Sequence, residues 1–442
     1  MASSFHQTEI LIVGGGMVGM SLAAATAAGG IATTLVEAEP LPSLDQPLFD
    51  GRSSAIAYGS QQVLAGIDAW QYIEPEASPI LDIRVSDGGW QVGGESPFFV
   101  HYSNRDLPPG SIDSPGATGR QGKLEKRTDQ PPFGWIVENR ATRRGLLKRL
   151  AACPNLTHLA PATVTDIRFD AGRATVKLNG GGEIRARLAI AADGRNSTIR
   201  RAAGIGYREL DYHQTAIVCT VAHARPHHGT AHEHFLPVGP FAMLPMTDDV
   251  DAQGAPRHRS SIVWTEDPRL VPMLLALSDE DLAAEIRRRF GDTLGNLRPI
   301  GPRFSYPLKL LLADAYVKDG LALVGDAAHG IHPIAGQGFN LGVRDVAALA
   351  EILVDAHRLG LDIGSLAVLE GYARWRRFDN LLLAGVTDGL TRLFSNDLPP
   401  VRLARDLGFF LFNKTKPLKR LAMRHAMGVI GDLPRLVRGL PL

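Results

Sequence analysis

Cysteine is almost missing: Cys153 and Cys219 are the two thiols in 442 residues. Two cysteines exclude a disulfide framework and a cysteine-rich zinc or iron–sulfur centre. Buried free thiols in a reducing compartment are the expectation. An excess of charge is lacking too. The chain has 47 Lys+Arg against 46 Asp+Glu, a net +1, so no global field favours nucleic acid. No uninterrupted apolar run approaches the ~20 residues of a membrane-spanning helix. Residues 10–28 are apolar and small, but a glycine turn divides them, so no secretory signal is expected there.

What is present begins with Ile10-Leu11-Ile12-Val13, an apolar run of the kind that forms a buried parallel strand. Gly14-Gly15-Gly16-Met17-Val18-Gly19 follows, then a helical segment from Ser21 to about Ala28, then a second strand, Ile31 to Val36, ending in Glu37. This is GxGxxG in the context its mechanism requires. Gly14 allows the tight turn, Gly16 lets backbone approach a pyrophosphate, and Gly19 lets the helix lie close to the strand. The helix N-terminus offers free N–H groups and partial positive charge to phosphates. Glu37 is placed to accept hydrogen bonds from an adenosine ribose. The motif does not separate NAD from FAD, because both carry an ADP half.

A second motif, Gly325 to Asp345, selects between them. It follows the apolar run Leu321 to Val324 and leads into an amphipathic helix from Leu341 to about Leu359. Strand, carboxylate, proline, glycine-rich bend and helix form a plan for holding a flavin. Asp326 can meet a ribityl hydroxyl, and Pro333 stiffens the bend. Gly336 and Gly338 let backbone N–H groups approach the pyrimidine edge of the flavin. A helix beginning near Gly338 or Asn340 aims its positive end there, stabilising an anionic flavin. His329 and His332 lie in the same bend, with structural hydrogen bonding favoured over substrate contact.

Between the motifs, Gly51-Arg52 opens an expected helix reaching Ala65, which places Arg52 to meet a phosphate. Strands are expected within 80–102, at 135–138, 163–169, 174–178 and 188–192, the last ending in Asp193-Gly194-Arg195. Asp193 reads equally as a cofactor ligand and as a helix cap. The tract 105–132 is polar and rich in Gly and Pro, suiting a lid or an insertion. Residues 215–310 suggest an antiparallel sheet with a helix from Ser278 to Phe290. His232 and His234 share a strand face, but no third ligand with matching spacing accompanies them, so no metal is expected. The segment 398–442 carries nine Lys/Arg against two Asp/Glu, interleaved with Leu, Phe and Met. It suits either a helix at an anionic lipid surface or one packed on the catalytic unit.

Taken together these motifs resemble the group A FAD-dependent aromatic monooxygenases of the para-hydroxybenzoate hydroxylase fold, and within them the ubiquinone-biosynthesis hydroxylases. The resemblance rests on Gly14-x-Gly16-x-x-Gly19, Asp50-Gly51-Arg52 with Ala55-Ile56-Ala57, Glu138-Asn139-Arg140, Ala192-Asp193-Gly194 and the run from Gly325 to Gly342. Tyr372, Arg376, Arg377, Asp379 and Asn380, and Leu418-Lys419-Arg420 with Met423-Arg424, fit the same subfamily. The tract 105–132 is longer than the resemblance leads one to expect.

The resemblance implies an α/β fold: a Rossmann-like FAD-binding domain with an inserted antiparallel-sheet substrate domain and a C-terminal helical region. FAD-binding parts would span 1–80, 136–210 and 311–397, substrate-domain parts 81–135 and 211–310, and C-terminal helices 398–442. It implies hydroxylation of a polyprenylated phenol or benzoquinol via a hydroperoxyflavin, with molecular oxygen as co-substrate. Electrons would come from NAD(P)H or a separate reductase. By the same resemblance Gly14, Gly16, Gly19, Glu37, Arg52, Asp193 and Asp326 bind FAD, Asn139 or Arg140 reaches the pyrophosphate, and backbone at Val164 lies on the adenine side. No catalytic side chain and no metal is assigned. The expected location is the cytoplasm, peripheral on the inner face of the membrane through 398–442, with room for other ubiquinone-biosynthesis proteins as partners. The alternatives are a soluble phenol- or salicylate-type hydroxylase and a non-catalytic flavoprotein scaffold of a membrane-associated assembly.

Overall fold

The computed structural model describes residues 5–41, 51–87, 99–108, 130–170, 172–250, 254–330, 337–377 and 415–442. Its first layer is a largely parallel sheet in the order 317–318, 321–323, 183–191, 5–13, 33–36, 156–159. Strand Phe5–Val13 lies at the centre, parallel to both Glu183–Ala191 and Thr33–Val36. Its run Ile10, Leu11, Ile12 is fully buried, as expected of a strand covered on both faces. Helix Met17–Ala28 packs against helices Asn139–Ala151 and Gln337–Arg358. Alanines 23, 24 and 25 are fully buried in it, and small side chains let these layers approach closely. Strands Val164–Asp170 and Arg173–Leu178 extend the sheet as an antiparallel hairpin.

The second layer is a nine-stranded sheet in the order 329–330, 297–313, 207–223, 256–266, 239–245, 230–236, 82–87, 99–103. All its pairings are antiparallel except that of Thr230–Leu236 with Asp82–Asp87, which is parallel. One face is closed by helix Asp279–Phe290: Ile217, Cys219, Met243, Ile262 and Trp264 pack with Leu282, Ile286 and Phe290. The opposite face meets the strand Gly134–Glu138, the helix Tyr58–Gly66 and the C-terminal helix Lys416–Ala426, where Ala231, Ile83, Tyr102 and Leu244 join Tyr58, Ile136, Met423 and Met427. Both cysteines are buried free thiols.

One expectation fails and one strand goes unread, both for tertiary reasons. The helix expected from Gly51 to Ala65 is a strand, Ser53–Ala57, followed by a helix, Tyr58–Gly66. The strand pairs with Gly134–Glu138 in a small third sheet, and that pairing outweighs local propensity. Arg52 therefore precedes a strand and not a helix. The strand Leu297–Ala313, of 17 residues, is not legible in the sequence because Pro299, Pro302 and Pro307 argue against it. Its ladder with Tyr207–His223 accommodates them, with irregularities at Asp211/Gln214 and Val218/Thr220.

Candidate active site

The site gathers at the C-terminal ends of the parallel strands. From Phe5–Val13 the chain crosses to Thr33–Val36 on one side, while Glu183–Ala191 lies on the other. The order reverses at that point, which is where open α/β sheets bind ligands. Gly14, at φ +109°, lies so close to Ala192 that a Cβ there would collide with the Ala192 carbonyl. Gly19 is bare for the same reason, since a Cβ would strike the carbonyl of Gly14. Gly16 differs: a Cβ on it would meet nothing within 4 Å. The turn thus leaves Gly16 open, where the sequence motif expects a pyrophosphate. The helix beginning at Met17 has no side-chain cap and no acidic residue in its first turn, so its N–H groups are available to an anion.

Glu37 follows Thr33–Val36. Its carboxylate accepts from the Gly15 N–H at 2.5 Å and the Glu39 N–H at 2.7 Å, bracing the glycine turn while keeping further acceptor capacity. Val164 is near: the Ala162 N–H donates to the Glu37 carbonyl at 2.7 Å, two residues before the hairpin strand begins. The adjacent His158 was not singled out in the sequence. Burial pushes its imidazole down, against the pull of Glu37, and its Nε2 is buried without a partner.

Asp193 follows Glu183–Ala191 and takes the cap role, with one oxygen left over. Oδ2 accepts from Thr198 N at 2.8 Å and Ile199 N at 3.2 Å, capping the next helix, whereas Oδ1 is buried with no partner. Asp326 lies beyond strand Leu321–Leu323, exposed between buried Gly325 and Ala327. Two buried groups hold that turn. Asp345 accepts from Gly325 N at 3.0 Å, His329 Nε2 at 2.5 Å and Arg376 Nε at 2.9 Å. Burial alone would push the Asp345 carboxyl up, but His329 and Arg376 bring it down to about 2. From the other side Arg200 Nη1 donates to the Ala327 carbonyl at 2.8 Å. His329 thus has the structural role favoured for it; His332 lies outside the described residues.

Other expected ligands are placed less directly. Arg52 lies over the Phe304 ring, 5.4 Å from its centroid. Asn139 Oδ1 accepts from Ser54 Oγ at 2.7 Å, and Arg140 Nε is tied to Glu138 at 2.5 Å. Arg140 also lines a cavity of about 420 Å³ with Arg257, Arg259, Arg298, Asp249 and Asp279. Asn340 is used in packing: its amide brackets Ala55 O and Ala57 N, both at 2.8 Å. Helix Gln337–Arg358 begins slightly before the expected Gly338 or Asn340, and Gly338 has open space where a Cβ would stand. Pro333 and Gly336 lie outside the described residues. His232 and His234 stack on each other and meet Phe290 edge-on.

An open glycine turn, a bare helix N-terminus, an orphaned Asp193 oxygen and an exposed carboxylate at the next strand end fit a dinucleotide whose phosphates and hydroxyls supply the missing partners. Fold and site together define a flavin-dependent oxidoreductase. The chain belongs to the FAD binding domain family, whose model matches residues 7–358, and it is an FAD-dependent monooxygenase. It is similar to the ubiquinone hydroxylase UbiL of Rhodospirillum rubrum, with 50% identity covering 98% of this chain and 93% of that one. It is also similar to the 3-demethoxyubiquinol 3-hydroxylase of Escherichia coli, with 35% identity covering 96% and 99%. The fold matches the crystal structure of p-nitrophenol 4-monooxygenase PnpA from Pseudomonas putida, with TM-score 0.71 and 19% identity over 96% of this chain and 98% of that one.

Proposed function

We propose that this chain hydroxylates the aromatic ring of a polyprenylated phenol or benzoquinol in ubiquinone biosynthesis. The observation that carries the reading is similarity to a ubiquinone hydroxylase over 98% of the chain, through both cofactor motifs and the C-terminal segment alike. FAD, reduced by NAD(P)H directly or through a separate reductase, would supply the activation of molecular oxygen.

The chain's own residues bind and orient. Gly14, Gly16 and Gly19 shape the turn for the pyrophosphate, and Glu37 and the backbone at Val164 take the adenosine side. Asp193 and Asp326 meet the ribityl and phosphate portion. By the sequence motif Pro333, Gly336 and Gly338 are assigned to the flavin ring, with Asn340 fixing helix Gln337–Arg358. Arg52 binds FAD, and Asn139 or Arg140 reaches its pyrophosphate. The inner face of the large sheet covers the reacting ring and keeps water from it.

A polyprenyl tail places the substrate in a bilayer, and among the described residues no helix is long and apolar enough to cross a membrane. Helix Lys416–Ala426 offers a surface contact instead. Leu418 and Leu421 are 46% and 54% exposed, among Lys416, Arg420 and Arg424, while Met423 is buried against the catalytic unit. Each face thus supports one of the two roles weighed for this segment. Deleting 398–442 would strip packing from Tyr58 and Ile136, so surface substitutions are the cleaner probe. Leu418→Ser with Leu421→Ser, Arg420→Gln and Arg424→Gln should abolish sedimentation with anionic liposomes and leave FAD bound; persistent sedimentation would refute the membrane contact.

The function is tested by supplying the chain to hosts lacking each ubiquinone ring hydroxylase and measuring quinone intermediates by mass spectrometry. Restored ubiquinone in any strain supports the reading and identifies the ring position. No restoration, with FAD-loaded protein present, would shift the assignment to a soluble aromatic hydroxylase or a scaffold.

A further inference from the structure

Register decides which side chains of the large sheet share a face. Glu233 stands beside Val85 and Ala242, Ala242 beside Val263, Val263 beside Val218, and Val218 beside Phe304. This row is apolar except for one carboxyl. The next row on the same face includes Ala231, Ile83, Tyr102 and Leu244, which pack on Tyr58, Ile136 and Met427. Glu233 is therefore on the face turned toward the FAD-binding unit. At the other end of its row, the Arg52 guanidinium covers Phe304.

A carboxylate on an apolar wall ordinarily finds a donor or a cation. Glu233 makes no hydrogen bond or ion pair among the described residues. Burial pushes its carboxyl up to about 7 with nothing opposing it, yet the residue keeps part of its surface accessible. Two hydroxyls on the same face share this condition. Ser261, paired with Leu244 and Thr220, and Thr265, paired with Ala216, bury Oγ and Oγ1 without partners. They lie two strands from Glu233 and two residues off its row in opposite directions, about 12 Å from it and about 13 Å from each other at ordinary strand spacing. Ser261 and Thr265 are 0% and 1% exposed and closed to a ligand; Glu233, a partly accessible carboxyl without a protein partner on an apolar wall, is the group a ligand can complete.

We propose that Glu233 is a catalytic base that accepts the proton of the ring hydroxyl of the aromatic substrate. This rests on the aromatic-ring reading above. In the step, the O–H bond of the ring hydroxyl breaks and its proton passes to a Glu233 carboxylate oxygen. The electron pair stays on the ring oxygen and raises electron density at the ortho and para carbons. The proton returns to the ring oxygen after hydroxylation, so this step oxidises and reduces nothing. Other titratable or charged groups on or against this face are Tyr102 and Tyr306, both pushed up by burial, together with Tyr58, Arg52, and Arg259 paired with Glu138 at 3.1 Å.

The test compares FAD-loaded wild type, Glu233→Gln and Glu233→Asp. Turnover is measured with a polyprenylated phenol, and binding of a short-chain prenylphenol is read by flavin fluorescence from about pH 5.5 to 8.5. Glu233→Gln should keep its FAD and lose ~10²-fold in kcat. Wild-type kcat/KM should rise with pH through an ionisation that Glu233→Gln lacks, and Glu233→Asp should restore part of both. Wild-type turnover in Glu233→Gln, or the same ionisation there, overturns the proposal. A wild type that turns over no polyprenylated phenol sinks the proposed function instead, and fluorescence titration then decides on Glu233. Phenol affinity that rises with pH in wild type alone supports the base; equal profiles in both proteins overturn it.

Discussion

Replacing Asp345 with Asn removes one charge and one acceptor from the network behind the flavin-site turn. Two carboxylate oxygens there serve three donors: Gly325 N, His329 Nε2 and Arg376 Nε. An amide has one acceptor oxygen and brings two N–H donors of its own, so at least one of the three donors loses its bond. It also removes the Asp345 charge that opposes Arg376, a residue 1% exposed. The carboxyl is held at about 2 against an ordinary 3.8, a difference worth roughly 2 to 3 kcal/mol. Breaking a buried ion pair from one side costs about 3 to 5 kcal/mol. Both figures put the loss near 3 kcal/mol, or a downward shift of at most ~1 M in the urea midpoint for a chain of this length. Because the folded-state value is depressed, the stabilisation is full above 3.8 and is lost as pH falls toward 2. At neutral pH the whole effect should be visible. Urea unfolding followed by tryptophan fluorescence measures it, with released FAD measured in parallel. FAD affinity should fall as well, since the Gly325 N–H anchors the turn that carries Asp326. An Asp345→Asn protein with a wild-type midpoint and wild-type FAD content would refute this reasoning.

Gly14→Ala should yield little folded protein, because the residue is at positive φ against the Ala192 carbonyl. Gly16→Ala should fold at near wild-type stability and lose FAD affinity, because its open side faces ligand space; equal stability losses in the two variants, by thermal unfolding, would contradict the assignment of roles. Glu233 has its carboxyl raised from 4.5 to about 7, so the folded state disfavours the charge. Wild-type stability should therefore decline as pH rises from 4.5 to 7 and stay lowered above that. Glu233→Gln should escape this decline, gaining at most about 3 kcal/mol at pH 8, as measured by urea midpoints at the two ends of the range.

The cofactor motifs were legible in the chain because their demands are local. A turn at Gly14, an open Gly16 and a carboxylate at each strand end follow from sterics and hydrogen bonding over a few residues. A run such as Ile10 to Val13 declares its own burial. The α/β class followed from the same short patterns. What needed tertiary structure depends on partners far away in sequence. Ser53–Ala57 is a strand because Gly134–Glu138 pairs with it, and Leu297–Ala313 is one despite its prolines because Tyr207–His223 supports it. Asp345 meets Arg376 and His329 only once helix Gln337–Arg358 lies beside strand Leu321–Leu323. Glu233 looks from sequence like any polar residue in an alternating strand. Its isolation appears only when register lines it up with Val85, Ala242 and Val263 and the sheet closes over the FAD-binding unit. Local chemistry is written in neighbouring residues, whereas burial and pairing are properties of surfaces that exist only after the chain has folded.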